Sequence, residues 1–170
     1  MTVAPATLEL APEAGFESFV NAHQTQLRRH AYALAGNGPD ADDLLQATLV
    51  KLFLAWGRIE GQGHPTAYAR TTMARTYVSA WRRWGRHESP VASPPETASP
   101  GSDATSDRDL IWRGLERLGR RQRAVVVLRY YDDLDLAAIA ETLGVSVGTV
   151  KSQLSRALAN LRETLGDDPQ

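Results

Sequence analysis

Residues 87–107, HESPVASPPETASPGSDATSD, set the first limit on what this chain can fold into. The segment holds four prolines, many small polar residues and a single large apolar side chain, Val91. Such a composition buries too little surface to offset its ordering entropy. It is therefore read as a linker between residues 16–86 and 108–166, with residues 1–15 and 167–170 as tails. A flexible coil of this length spans about 25 Å, and fully stretched about 70 Å. The two halves can thus act at separate places on one partner.

Both halves carry helical periodicity, so the expected class is all-α, with two small helical domains. In the first, Phe16, Phe19, Val20, His23, Leu27, His30 and Leu34 recur at three- and four-residue steps until GNGPD interrupts them. A second helix is predicted from about Asp40 to Trp56, with Leu45, Leu49, Leu52, Phe53 and Trp56 on its apolar face and acids in its first turn, where the helix dipole favours them. A third starts at Pro65 and runs to about Arg86, with the stripe Ala69, Met73, Tyr77, Ala80 and Trp84. In the second half a short helix covers Asp109 to Leu118. AVVVLRYY has strand propensity but no strand partner anywhere in the chain, so it is expected to be helical, with Ala124, Leu128 and Tyr131 on one face.

Ala137, Ile139, Ala140 and Leu143 form a short apolar face ending at Gly144, a residue suited to a left-handed helix terminus. Val145 then turns inward, Ser146 can cap a new helix, and Val150, Leu154, Leu158 and Leu161 give that helix a buried face. Two helices joined by a short turn containing glycine have the form of a helix-turn-helix. The exposed side of the second helix carries Thr149, Lys151, Ser152, Gln153, Ser155 and Arg156, groups that suit base edges and phosphates in a major groove.

Composition closes off other classes. The chain has no cysteine, which excludes disulfides, thiolate zinc sites and cysteine nucleophiles. Its four histidines are scattered without ligand spacing, so they are expected to be surface or half-buried side chains. No phosphate-binding loop, dinucleotide fingerprint or nucleophile elbow is present, and neither an enzyme nor a cofactor or metal is expected. No apolar run is long enough for a membrane span and no signal core opens the chain, so a cytoplasmic location is expected. Net charge is −1, yet Arg70, Arg75, Arg82, Arg83 and Arg86 fall in a stretch without acids. The distribution of charge matters more here than its sum.

With these residues in view, the chain resembles the extracytoplasmic-function group of sigma-70-type sigma factors, particularly its short SigE-like branch. ADDLLQATLVKLFLAW resembles region 2.2, PTAYARTTMARTYVSAWRRW regions 2.3 and 2.4, and Leu118 to Arg162 region 4. The resemblance implies that core RNA polymerase is the partner, through the beta-prime clamp helices and the beta subunit. Asp42, Asp43 and Gln46 stand at the clamp-binding positions. It further implies that Tyr68, Arg70, Thr71, Arg75, Ser79, Trp81, Arg82, Arg83 and Arg86 engage the −10 element of promoter DNA, where an unstacked base is captured. The second helix of the helix-turn-helix would read the −35 element, and a cognate anti-sigma factor is expected from the group. Many members have Asn where Arg75 stands, and Arg where Gln153 stands. The rival readings are a stand-alone helix-turn-helix regulator that needs no polymerase, which leaves the first half without a role, and a helical adaptor that never touches DNA.

Overall fold

The computed structural model describes residues 11–84 and 106–166, with side chains over 14–83 and 109–166. The expected linker, except for its last two residues, lies outside the described residues, as do Arg86 and the side chain of Trp84. Among the described residues the chain is helical and contains no strand.

Three long helices make the first half: α1 Ala11–Ala35, α2 Gly38–Glu60 and α3 Pro65–Trp84. α1 starts within the segment expected to be a tail. Its early start is accommodated by Gly15, where a Cβ would come within 2.5 Å of the Glu60 carboxylate and 3.1 Å of Trp56 Nε1 at the far end of α2. α1 ends at Gly36, which takes φ +80 and returns its N–H to the Tyr32 carbonyl. Asn37 caps α2 by accepting from the Asp40 N–H, and Pro39 occupies the first turn, where its missing N–H costs nothing. The chain therefore folds back at once, and Phe16 and Phe19 of α1 meet Trp56 of α2 at ring-centroid distances of 5.5 and 5.2 Å.

The buried face of α2 is rotated from the expected one. Ala41, Leu44, Thr48, Leu52, Trp56 and Ile59 are buried, whereas Phe53 remains 47% exposed and only leans its ring against Phe16. Thr48 joins the core because its hydroxyl donates back to the Leu44 carbonyl, which removes the cost of burying it. In α3, Ala69, Met73 and Tyr77 are buried as the stripe predicts.

The second half comprises α4 Ser106–Arg117, α5 Arg120–Val126, a π-helical segment Val127–Tyr131, α6 Leu136–Leu143 and α7 Val147–Gly166. AVVVLRYY is thus helical, but its burial differs from one-face spacing: Ala124 through Leu128 are all buried, and Tyr131 is 39% exposed. On α6, Ile139, Ala140 and Leu143 are buried while Ala137 faces outward. α7 buries Val150 and Ala157 most fully, with Leu154, Leu158 and Leu161 half-buried beside them. Ala157 is fully buried and packs with Leu118 and Val126.

The two halves share one core. Leu34, Leu52 and Met73 belong to the same buried cluster as Ala124, Leu128, Ile139 and Val150. Each such aliphatic side chain contributes about 1.5–3 kcal/mol on burial, so α1 and α3 are held firmly against α5 and α6. A smaller cluster of Leu118, Val126 and Ala157 lies under α4.

Candidate nucleic-acid and polymerase interface

The helix-turn-helix forms as its residues require. Asp135 caps α6 by accepting from the Ala138 N–H at 2.8 Å, and Gly144 ends that helix in the left-handed region (φ 64, ψ 40). The Val145 N–H then closes onto the Ala140 carbonyl, its side chain packs against the core, and the Ser146 hydroxyl accepts from the Thr149 N–H at 3.1 Å to start α7. Lys151, Ser152, Ser155 and Arg156 are exposed along one side of α7. Thr149 and Gln153 are half-buried at its margin, and Thr149 also shares a hydroxyl contact with Ser146. The row presents hydroxyls, an amide and two cations without a large apolar group.

On α3 the residues expected to face DNA divide into two sets. Tyr68, Thr71 and Arg75 recur at helical spacing and line a cavity of about 320 Å³ together with Ile59, Gln62, His64, Ala67 and Thr72. Arg58 donates to the Tyr68 hydroxyl at 3.2 Å and lies 6.0 Å from the centroid of its ring, so the ring is held at the cavity wall. Gln62 and His64 come from the turn between α2 and α3, where Gly63 takes φ +77. Sequence patterning missed them because a turn residue has no periodicity, though GQGH between two helices marks a short shaped loop. Ser79 is half-buried and accepts from Arg83 at 3.3 Å, one turn on.

The second set points to the other half of the molecule. Arg70 Nε stands 3.9 Å from Asp132 Oδ1, the Trp81 ring carries the Arg121 guanidinium 5.2 Å above it, and Arg82 donates to the Leu143 carbonyl at 2.8 Å. Around them lie residues the sequence reading left unassigned. His30 was expected near the surface but is 1% exposed, with Nε2 3.0 Å from Asp132 Oδ2 and its ring stacked on Tyr131. Tyr32 donates to Glu116 at 2.7 Å. Arg123, 7% exposed, donates to the Leu34 and Ala35 carbonyls at 2.9 and 2.8 Å and to the Leu118 carbonyl at 3.3 Å.

On α2, Asp43 and Gln46 are exposed, and the same side continues into Val50, Phe53 and Leu54, which are 61, 47 and 80% exposed. Asp42 differs from its neighbour. It is half-buried and pairs with Arg28 of α1 at 3.3 Å, so it ties two helices of the first half together.

The domain model described as Sigma-70 region 2 matches residues 19–87, and that described as Sigma-70, region 4 matches residues 108–161. The RNA polymerase sigma-E factor of Streptomyces coelicolor is 42% identical over 153 residues, covering 88% of this chain and 85% of its own. The chain belongs to the sigma-70 family. Within it, the ECF RNA polymerase sigma factor SigL of Mycobacterium tuberculosis is 35% identical over 164 residues, 91% of each chain. Among solved structures, the sigma factor RpoE in complex with the anti-sigma factor NepR from Bartonella quintana aligns with a TM-score of 0.62 at 25% identity, over 91% of this chain and 99% of that one. This sigma factor is of the extracytoplasmic-function kind. Its region 2 comprises the α1–α3 bundle with the cavity, and its region 4 the α4–α7 unit with the helix-turn-helix. Its function is to direct RNA polymerase to promoters.

Among the described residues no helix is long and apolar enough to cross a membrane, and no three His, Asp or Glu side chains are grouped to hold a metal ion.

Proposed function

We propose that the exposed side of α2, with Asp43 and Gln46 at its head and Val50, Phe53 and Leu54 below, docks on the clamp helices of core RNA polymerase, with region 4 engaging the beta subunit. An acid beside an exposed apolar row has the make-up of an interface centre: the apolar groups gain from leaving water and the polar pair sets orientation. The cavity lined by Tyr68, Thr71 and Arg75 receives a base extruded from the −10 strand. Extrusion costs a few kcal/mol, which ring stacking, hydrogen bonds and an arginine near the phosphates offset. Ser79 and Arg83 continue the basic side of α3 along the backbone, a contact to which Arg86 is assigned as well. Lys151, Ser152, Ser155 and Arg156 of α7 meet the −35 duplex, flanked by Thr149 and Gln153.

The protein acts by binding, without chemistry of its own, in the cytoplasm, where polymerase and DNA are found. An anti-sigma factor is its regulator, in keeping with the structural relative solved in complex with one. The observation that supports this reading over a stand-alone regulator is the cavity on α3, since a repressor needs α7 alone. Run-off transcription with core polymerase is the test. Initiation from discrete start sites is expected, and abolition by Lys151→Glu with Arg156→Glu separates it from an adaptor that never touches DNA. Tight operator binding with no response to polymerase would sink it.

A further inference from the structure

Arginines beside the cavity and along α3 are for the most part engaged. Arg58 donates to the Tyr68 hydroxyl, Arg70 stands 3.9 Å from the Asp132 carboxylate, Arg82 donates to the Leu143 carbonyl and Arg83 to Ser79. Arg75 differs. It is exposed, it lines the cavity, and among the described residues its guanidinium has neither a hydrogen bond nor an ion pair. Among the described residues no carboxylate shares the cavity wall with it. The polar groups around it are the hydroxyls of Tyr68, Thr71 and Thr72, the Gln62 amide and the His64 imidazole, which can donate or accept as a ligand requires. The Arg75 fork can only donate.

We infer that the cavity selects guanine as the base extruded from the −10 strand, and that Arg75 makes the selection by donating to guanine O6 and N7. The inference rests on the base-capture role given to the cavity above. Two parallel N–H groups match two acceptors standing side by side, and this is the pair that arginine makes with guanine. Adenine offers no such edge, because its N7 adjoins the N6 amino donor, and the two oxygens of thymine are separated by N3–H. Cytosine sets N3 beside O2, but its N4 amino group lies on the same edge and brings its hydrogens beside the cation. Guanine held by O6 and N7 keeps its N1–H and N2 donors on a different edge, where the Gln62 carbonyl or a threonine hydroxyl can accept.

The surroundings suit a purine. A cavity of about 320 Å³ admits the larger ring system, and the Tyr68 ring at its wall, steadied by Arg58, gives a stacking face. Arg83, further along α3, is exposed and supplies a cation for the phosphates, which leaves Arg75 for the base. Selection then has two sources. Guanine replaces the water taken from the guanidinium, whereas a wrong base takes the water and leaves N–H groups without partners.

The test uses the full-length protein with core polymerase and a pool of promoter fragments randomised through the −10 element, the bound fraction being sequenced. At one position of the non-template strand guanine is expected to be favoured about tenfold over each other base, and Arg75→Ala should flatten the preference at that position alone. Replacing the selected guanine by 7-deazaguanine keeps the ring system and O6 but removes the N7 acceptor. Wild-type holoenzyme should then bind about tenfold more weakly, whereas holoenzyme carrying Arg75→Ala should bind both fragments alike. A misfolded variant would not show that contrast, and gel filtration checks that each variant assembles with polymerase. Preference for another base at the position that responds to Arg75, or equal wild-type binding of guanine and 7-deazaguanine, overturns the guanine assignment and leaves base capture standing. If Tyr68→Ala and Arg75→Ala both leave every −10 preference unchanged, base capture at this cavity is overturned with it.

Discussion

Arg123 illustrates how one side chain can serve two helix ends. A buried cation is ordinarily costly, but here its N–H groups donate to the Leu34 and Ala35 carbonyls in the last turn of α1 and to the Leu118 carbonyl between α4 and α5. Tyr32 is tuned by the same junction. Burial first, then donation to Glu116 and the charge of that carboxylate, push its hydroxyl up to about 12. An unfolded tyrosine loses its proton near pH 10, so between pH 10 and 12 the unfolded chain ionises while the folded one does not. The stability Tyr32 contributes is therefore complete below pH 10 and declines as pH rises toward 12. Urea unfolding across that range should show the decline, and Tyr32→Phe should flatten it. At the cavity, Arg75→Ala is expected to weaken the promoter complex by about 1–3 kcal/mol with polymerase affinity unchanged, and Arg75→Asn to alter the base preferred at −10. Footprinting on a set of −10 variants checks both.

The elements differ in how openly their sequences announce them. The start of α7 was legible, because Gly144, Ser146 and Val150 each satisfy a local requirement that the final structure also imposes, whereas its buried face was legible only in part, since Ala157 is buried more fully than Leu154, Leu158 or Leu161. The buried face of α2 was not, since Thr48 counts as polar in any hydropathy pattern and enters the core only through a bond to its own helix. Arg120 and Arg121 at the start of α5 did leave a trace: cations in a first turn oppose the helix dipole, and such a local conflict points to a tertiary duty. Gly144→Ala should destabilise the protein by about 1–2 kcal/mol from left-handed strain. Part of the loss should vanish in the Arg82→Ala background, where the new methyl meets no guanidinium. Asp135→Ala, which removes only a cap, should cost about 1 kcal/mol. Chemical denaturation of the four variants resolves these terms.

At the scale of the whole molecule, the division into two halves was readable from composition, but their contact was not. Tyr32, Asp132 and Glu116 look like ordinary surface residues until the halves meet, and although His30 stands in the stripe of α1, no periodicity in either half anticipates a partner far along the chain. The few cations on α7 lead to an expectation: the free protein binds promoter DNA weakly and with strong salt dependence, and polymerase raises affinity well beyond that of either component. Titrations at stepped salt concentrations measure this. The π-helical segment bears on how such a junction changes over descent. The Asp132 N–H returns to the Val127 carbonyl, so Val127–Tyr131 holds one residue more than an α-helical turn needs. Loss of a single codon there would leave an ordinary helix and swing the downstream chain by about 100°. Asp132 would turn away from both His30 and Arg70, so a one-residue deletion there is expected to undo two ties between the halves while leaving each helix whole.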